Sequence, residues 1–217
     1  MKKKELFLRY FLLVIGLLFS AFGVALAKHA ELGVTPISSV ANVMSYKFTS
    51  LSMGSWLIIW NCALIAGQII LLRKDFRLIQ LLQIPLSFLF GWFTDFGLWC
   101  VSAVPNDIYI LQLAMVFAGI VVLAFGISLS VAAGVIMNSG EAFVKAISDV
   151  SCRNFGNVKI IFDVCCVLTS IILSLLFFDF RIIGTREGTV ISAVLTGFAV
   201  KFFNKRLSRP IQNFLKK

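Results

Sequence analysis

Runs of roughly 20 apolar residues, separated by short polar stretches, decide most of what this chain can become. They reach from about Leu6 to Ala27, Met53 to Leu72, Leu78 to Ala103, Ile108 to Ile136, Val158 to Phe178 and Thr189 to Phe203. A helix of that length matches the roughly 30 Å of hydrocarbon in a bilayer. The runs do not alternate apolar and polar residues, as the strands of a membrane barrel must. With 59% hydrophobic and only 14% charged residues in 217, and a mean hydropathy of +0.97, the chain falls well outside the composition of soluble domains. The expected fold is all-α: residues 1–217 form a single polytopic membrane domain with six transmembrane spans.

The net charge of +10 does not point to nucleic acid, because the basic residues sit at the ends of the apolar runs rather than across one folded face. Lys2, Lys3, Lys4 and Arg9 stand at the start of the first run, and Lys201, Lys205, Arg206, Arg209, Lys216 and Lys217 at the end of the last. Arg73–Arg77 and Lys145–Lys159 fall on the same side if each run crosses once. The positive-inside rule then puts both termini in the cytoplasm, with residues 204–217 as a basic tail. Lys2–Lys4, an apolar stretch and Ala25-Leu26-Ala27 imitate a signal peptide. The run is longer than a usual signal core, so it is read as a retained first span of a multi-pass protein in the bacterial cytoplasmic membrane.

Two polar segments interrupt the apolar pattern. Gly33–Met44 opens with Thr35-Pro36, a plausible N-cap and first helical residue, and predicts a short helix over 36–48. A second segment predicts a short helix over 141–153. Sliding the chain on itself brings Gly16 and Phe22-Gly23 onto Gly119 and Phe125-Gly126, Asp75-Phe76-Arg77 onto Asp179-Phe180-Arg181, and Gly91 onto Gly197. Offsets run from 102 (Asn61 to Asp163) to 107 (Gly33 to Gly140). The reading is a duplication, repeat 1 over 6–103 and repeat 2 over 108–203, each with three spans and one short polar helix, re-entrant or interfacial. Three crossings per repeat invert the second relative to the first. Inverted repeats of this kind are a plan of secondary transporters, with substrate held at the repeat interface.

Candidate substrate-binding residues follow from polarity at depth. Thr35, Ser38, Ser39 and Asn42 put hydroxyls and an amide around the start of the first short helix, where unpaired N–H groups favour anionic groups. Asn61 lies inside the second span, and Thr189 opens the sixth. Asp163 is the foremost single candidate, since a carboxylate inside a span is costly and faces a bundle interior or cavity by default. Lys159, one turn earlier, can pair with it. Asp163 makes a proton or sodium ion the natural coupling ion; no other cofactor or metal is implied. Asp95, nearer a span end, is read as reaching the interface. The five cysteines, none at metal spacing, are read as packing residues, His29 as a surface loop residue, and the four tryptophans as lipid-facing anchors. No nucleotide, metal or nucleophile motif of an enzyme is present.

The run Gly16…Phe22-Gly23…Leu32-Gly33-Val34-Thr35-Pro36 resembles the opening of the YczE/YitT-type bacterial integral membrane proteins, in which a glycine-rich first span leads to a Leu-Gly-x-x-Pro turn. Gly156 to Asp163, Glu187-Gly188-Thr189 to Ala193, and Gly197 resemble that family's basic-x-x-x-acidic helix and terminal Gly-Thr motif. The resemblance implies a transporter of the cytoplasmic membrane. The function expected here is therefore a transporter or permease for a small solute. A first alternative is the substrate-binding subunit of an energy-coupling-factor vitamin transporter, with Ala21 and Ala25 as a docking face for its partner. A second is a non-transporting scaffold or regulator. Expected partners are the lipid bilayer, a small-molecule or ion substrate, and a further copy or a partner transport subunit.

Overall fold

The structure, a computed structural model, describes residues 3–215 and is helical throughout, with no strand among the described residues. The α-helices in chain order are α1 (Lys3–His29), α2 (Pro36–Lys47), α3 (Met53–Leu72), α4 (Gln83–Val101), α5 (Tyr109–Ala133), α6 (Ser139–Ser151), α7 (Phe155–Phe177) and α8 (Glu187–Leu215). Short 3-10 turns at Arg73–Asp75 and Leu78–Leu82 lead into α4. Five of the helices, α1, α3, α4, α5 and α7, are long and apolar enough to cross a membrane. The sixth expected span is not among them. α8 is long enough, but Glu187, Lys201 and Asn204 dilute its apolar stretch. It also runs on past Phe203, so most of the expected tail is helix, with Pro210 inside it.

α1 and α5 cross at the centre, and glycines make the crossing. A Cβ on Gly16 would lie 2.7 Å from the Gly126 carbonyl oxygen, and one on Gly126 would lie 2.5 Å from that of Gly16. Gly23 and Gly119 stand in the same mutual relation, at 2.6 and 2.8 Å. Lipid tails provide no hydrophobic drive between helices, so a crossing this close depends on dispersion between backbones that only small residues let approach. Ala21 and Ala25 are fully buried at this centre, Ala21 beside Leu17, Leu57 and Phe90, and Ala25 against Gly97. They are core residues, not a docking face.

Around the central pair, α4 packs on α1 and α3, α8 on α5, α2 on α7, and α6 on α3. Charge sorts by end. Arg9 donates to the Ala133 carbonyl at 2.8 Å, and Gln212 to that of Ala132 at 2.8 Å, so the start of α1 and the ends of α5 and α8 share one basic end. At the other end the His29 Nε2 meets the Val104 carbonyl at 2.8 Å, and Lys47 donates to that of Phe177 at 3.1 Å. His29 is thus at the surface, as expected, but at a helix end rather than in a loop.

The tryptophans divide. Trp92 and Trp99 are exposed, as membrane anchors should be, while Trp56 and Trp60 pack against the core. Cys166 is the buried cysteine; Cys100, Cys152 and Cys165 are exposed, so packing does not account for those three.

One difference between helix pairs stands out. α3 and α4 are locked together: Gly54 and Gly91 face each other's carbonyls at 2.1 and 2.6 Å from a built Cβ, and Asp95 accepts from Ser52 Oγ at 2.5 Å and the Gly54 amide at 2.8 Å. Asp95 therefore caps α3 instead of reaching out to the interface. α7 and α8 hardly touch, although Gly156 and Gly197 are present in them. A Cβ on Gly197 would meet nothing within 4 Å.

Candidate functional site

The first turn of α2 is built from Pro36, which fixes φ at the first helical position and needs no hydrogen-bond acceptor there. Thr35 is the N-cap residue, yet its hydroxyl does not cap the backbone; it donates to Ser38 Oγ at 3.0 Å. Ser39 Oγ donates to the Pro36 carbonyl at 2.6 Å and lies 3.4 Å from that of Cys166 on α7. Asn42 Nδ2 donates to the Gly184 carbonyl at 2.6 Å, leaving its Oδ1 buried and unpaired. From Pro36 to Val43 all but Ile37 are buried. Protein encloses α2; it does not lie flat on a surface.

Just before it, Gly33 sits at φ +108°, and a Cβ there would fall 2.3 Å from Thr189 Oγ1. The Gly188 amide donates to the Leu32 carbonyl at 2.8 Å, so the Leu32-Gly33 turn is seated on the start of α8. Thr189 is fully buried, and its Oγ1 is without a partner. Ser192 and Thr196 continue the same stripe of unpaired buried hydroxyls along α8.

α6 begins differently. Asn138 accepts from the Ser139 amide at 3.1 Å, and Gln68 of α3 donates to the Ser139 carbonyl at 3.2 Å. Gln68 also exchanges two side-chain bonds with Gln83, at 3.1 and 3.2 Å, and both glutamines are buried. Paired amides satisfy each other and hold α3, α4 and α6 in register. A Cβ on Gly140 would lie 2.9 Å from Ile37 Cδ1, so the two short helices meet start to start. By place in the helix, Ile37 is the counterpart of Gly140. Gly33, expected to match it, precedes its helix.

On α7, Lys159 Nζ and Asp163 Oδ1 pair at 2.6 Å, both partly buried, as their spacing predicts. On α6, which packs on α7, Glu141 is the third residue, and its Oε2 is sealed from solvent with no hydrogen-bond partner. Burial raises its affinity for a proton above the ordinary carboxyl value, while Lys159 pulls it down. α6 does not span, and its outer face carries an exposed Lys145–Asp149 pair opposite buried Ala142, Val144 and Ala146.

The eight residues expected to bind substrate are thus split. Thr35, Ser38, Ser39 and Asn42 gather along α2 toward α7 and the loop at Gly184, while Thr189 lies beside Gly33. Lys159 and Asp163 form a second group near the basic end. Asn61 is buried in α3 with its Nδ2 unpaired, and no hydrogen bond ties it to the others. A cavity of about 240 Å³ opens at the basic end between Leu72, Arg77, Gln80, Gln83, Met137, Ala142 and Lys145. None of the eight lines it. Missed by sequence reasoning were Glu141, Gln83 and Ser139. Gln83 announced itself only as an amide at the edge of a span, and Glu141 only as an acid near the start of a short helix.

This geometry belongs to a chain with relatives. It is similar to the "Uncharacterized membrane protein YczE" of Bacillus subtilis (strain 168), 26% identical over 202 residues that cover 92% of this chain and 87% of that protein. The expected YczE-type resemblance is therefore shown. No solved structure matches. Residues 7–205 match the "Family of unknown function (DUF6198)", and the chain belongs to that family, as one of its membrane proteins.

Proposed function

We propose that the protein is a transporter for a small solute in the bacterial cytoplasmic membrane, built of two inverted halves, with both termini inside. The observation that carries this reading is the start-to-start meeting of α2 and α6 through Ile37 and Gly140. Each short helix packs on a span of the opposite half, α2 on α7 and α6 on α3. Short helices that face each other inside protein present two sets of N-terminal amides to one place, the arrangement by which inverted-repeat transporters hold a solute.

Inversion is supported by the central crossing. An inverted repeat pairs each glycine with the counterpart of its partner, and Gly16–Gly126 and Gly119–Gly23 are such a pair of contacts. α8 supplies the sixth crossing in this reading. It follows α5 from Ile191 beside Met115 and Val116 to Gln212 at Ala132, and turns its hydroxyl stripe away from solvent. The basic end, with Arg9, Arg77 and Lys145, is the cytoplasmic one. The cavity there is small, which favours an ion or a compact polar solute over a drug-sized molecule.

The unequal halves supply the moving part. Lys201 of α8 stands at the place in its repeat that Asp95 holds in α4, so α8 has a cation where α4 has an acceptor for the neighbouring helix start. α3–α4 is the fixed pair, and α7–α8 is free to open and close. The alternative of a vitamin-transporter subunit loses its docking face with the burial of Ala21 and Ala25.

Purified protein in liposomes tests the function, with currents recorded on a solid-supported membrane for a panel of small ions and polar solutes. At least one solute is expected to give a saturable signal that protein-free liposomes lack. A silent panel, together with a partner protein that restores uptake, would overturn the reading in favour of a subunit role.

A further inference from the structure

We propose that Glu141, Lys159 and Asp163 form a binding site for a single proton between α6 and α7, with Glu141 as the group that carries it. Lys159 already pairs with Asp163 at 2.6 Å. α6 packs on α7, and the charges that act on Glu141 are those of Lys159 and Asp163, so one ammonium is set against two carboxyl groups and the three together carry a net negative charge when both are ionised. Lys159 and Asp163 are only partly buried, so the cost of that charge falls on the Glu141 oxygen that water does not reach, and one added proton removes it. Glu141 is the member with an oxygen sealed from solvent and unpartnered, so it is the one for which ionisation leaves an uncompensated atom. Its raised proton affinity, caused first by burial, agrees with that placement.

The surroundings add no further charge. On α6 itself Lys145 and Asp149 are exposed and paired with each other. α3 faces α6 with the neutral Gln68, held by Gln83 and Ser139. α2 meets the start of α6 with Ile37, and Cys166 of α7 lies one turn beyond Asp163. The Lys159 ammonium also disfavours sodium, since a metal cation needs several oxygens and would be repelled by the charge beside it. The site stands independently of solute movement; only its use as a coupling site rests on the transporter reading.

Infrared titration of the purified protein in detergent tests the site without any substrate. The expected result is one protonated-carboxyl band that persists above the ordinary glutamic acid range, is lost in Glu141→Gln, and titrates at lower pH in Asp163→Asn, where Lys159 is left to Glu141 alone. A band that survives in Glu141→Gln and vanishes in Asp163→Asn would overturn the assignment, as would a wild-type protein with no such band. Wild type alone decides the matter if a variant does not fold. Proton flux in liposomes is a separate measurement: its absence with the band present would count against transport and leave the site standing.

Discussion

At the scale of single residues, Gly33 and Glu141 carry the most readable consequences. Gly33 combines a left-handed backbone with a neighbour where a side chain would be, the Thr189 hydroxyl at 2.3 Å from a built Cβ. Gly33→Ala should lower thermal stability by roughly 1–3 kcal/mol, measured as a shift in melting temperature of the purified protein. Glu141 makes stability depend on pH. Its folded-state proton affinity is raised above the ordinary value of 4.5. The folded form therefore keeps a proton that the unfolded form has released, so stability is full below that value and is lost as pH rises through the higher folded value. Melting curves across that range should fall with pH in the wild type and flatten in Glu141→Gln. Gly33 was legible from its place before Thr35-Pro36. Glu141 was not, because the charges that act on it, Lys159 and Asp163, sit on another helix, and no local pattern brings them together.

Among elements, the comparison of α3–α4 with α7–α8 is the sharpest. Gly91→Ala pushes a methyl to within 2.6 Å of the Gly54 carbonyl and should destabilise by roughly 1–3 kcal/mol. Gly197→Ala, its counterpart, meets nothing and removes a poor helix former, so it should leave the melting temperature unchanged or raise it by up to about 1 kcal/mol equivalent. Equal losses in both would mean that α7 and α8 pack as α3 and α4 do. Most helices could be read from the chain because apolar length and Pro36 set their limits locally. The start of α4 was harder. Leu78–Leu82 is as apolar as a span but winds as a 3-10 turn, and Gln83 is fixed by Gln68 of another helix. The reach of α8 to Leu215 was also hidden, since its basic residues look like a tail and its support comes from Arg9 and Ala132 across the bundle, which bond its Gln212.

For the molecule as a whole, the glycine repeat visible in the sequence becomes the central crossing of α1 and α5, and that crossing sets where everything else can go. The candidate residues did not all converge. Those on α2 gather as expected, but the cavity opens at the other group of elements, where glutamines and Arg77 line it. Polarity along a chain marks which residues are costly to bury; it does not say which of them share a wall, because that depends on helix rotation set by packing.

The central claim is that the two short helices meet start to start at the junction of the proposed halves. It is tested by Ile37→Cys with Gly140→Cys in a chain whose five native cysteines are replaced. Ile37 Cγ2 lies 3.2 Å from a Cβ built on Gly140, within reach of a disulfide after the isoleucine is cut back. A protease site placed in the exposed Val104–Pro105 link lets the halves be separated after oxidation in native membranes. The two fragments should remain joined until reductant is added. Fragments that separate while both thiols stay free would contradict the account.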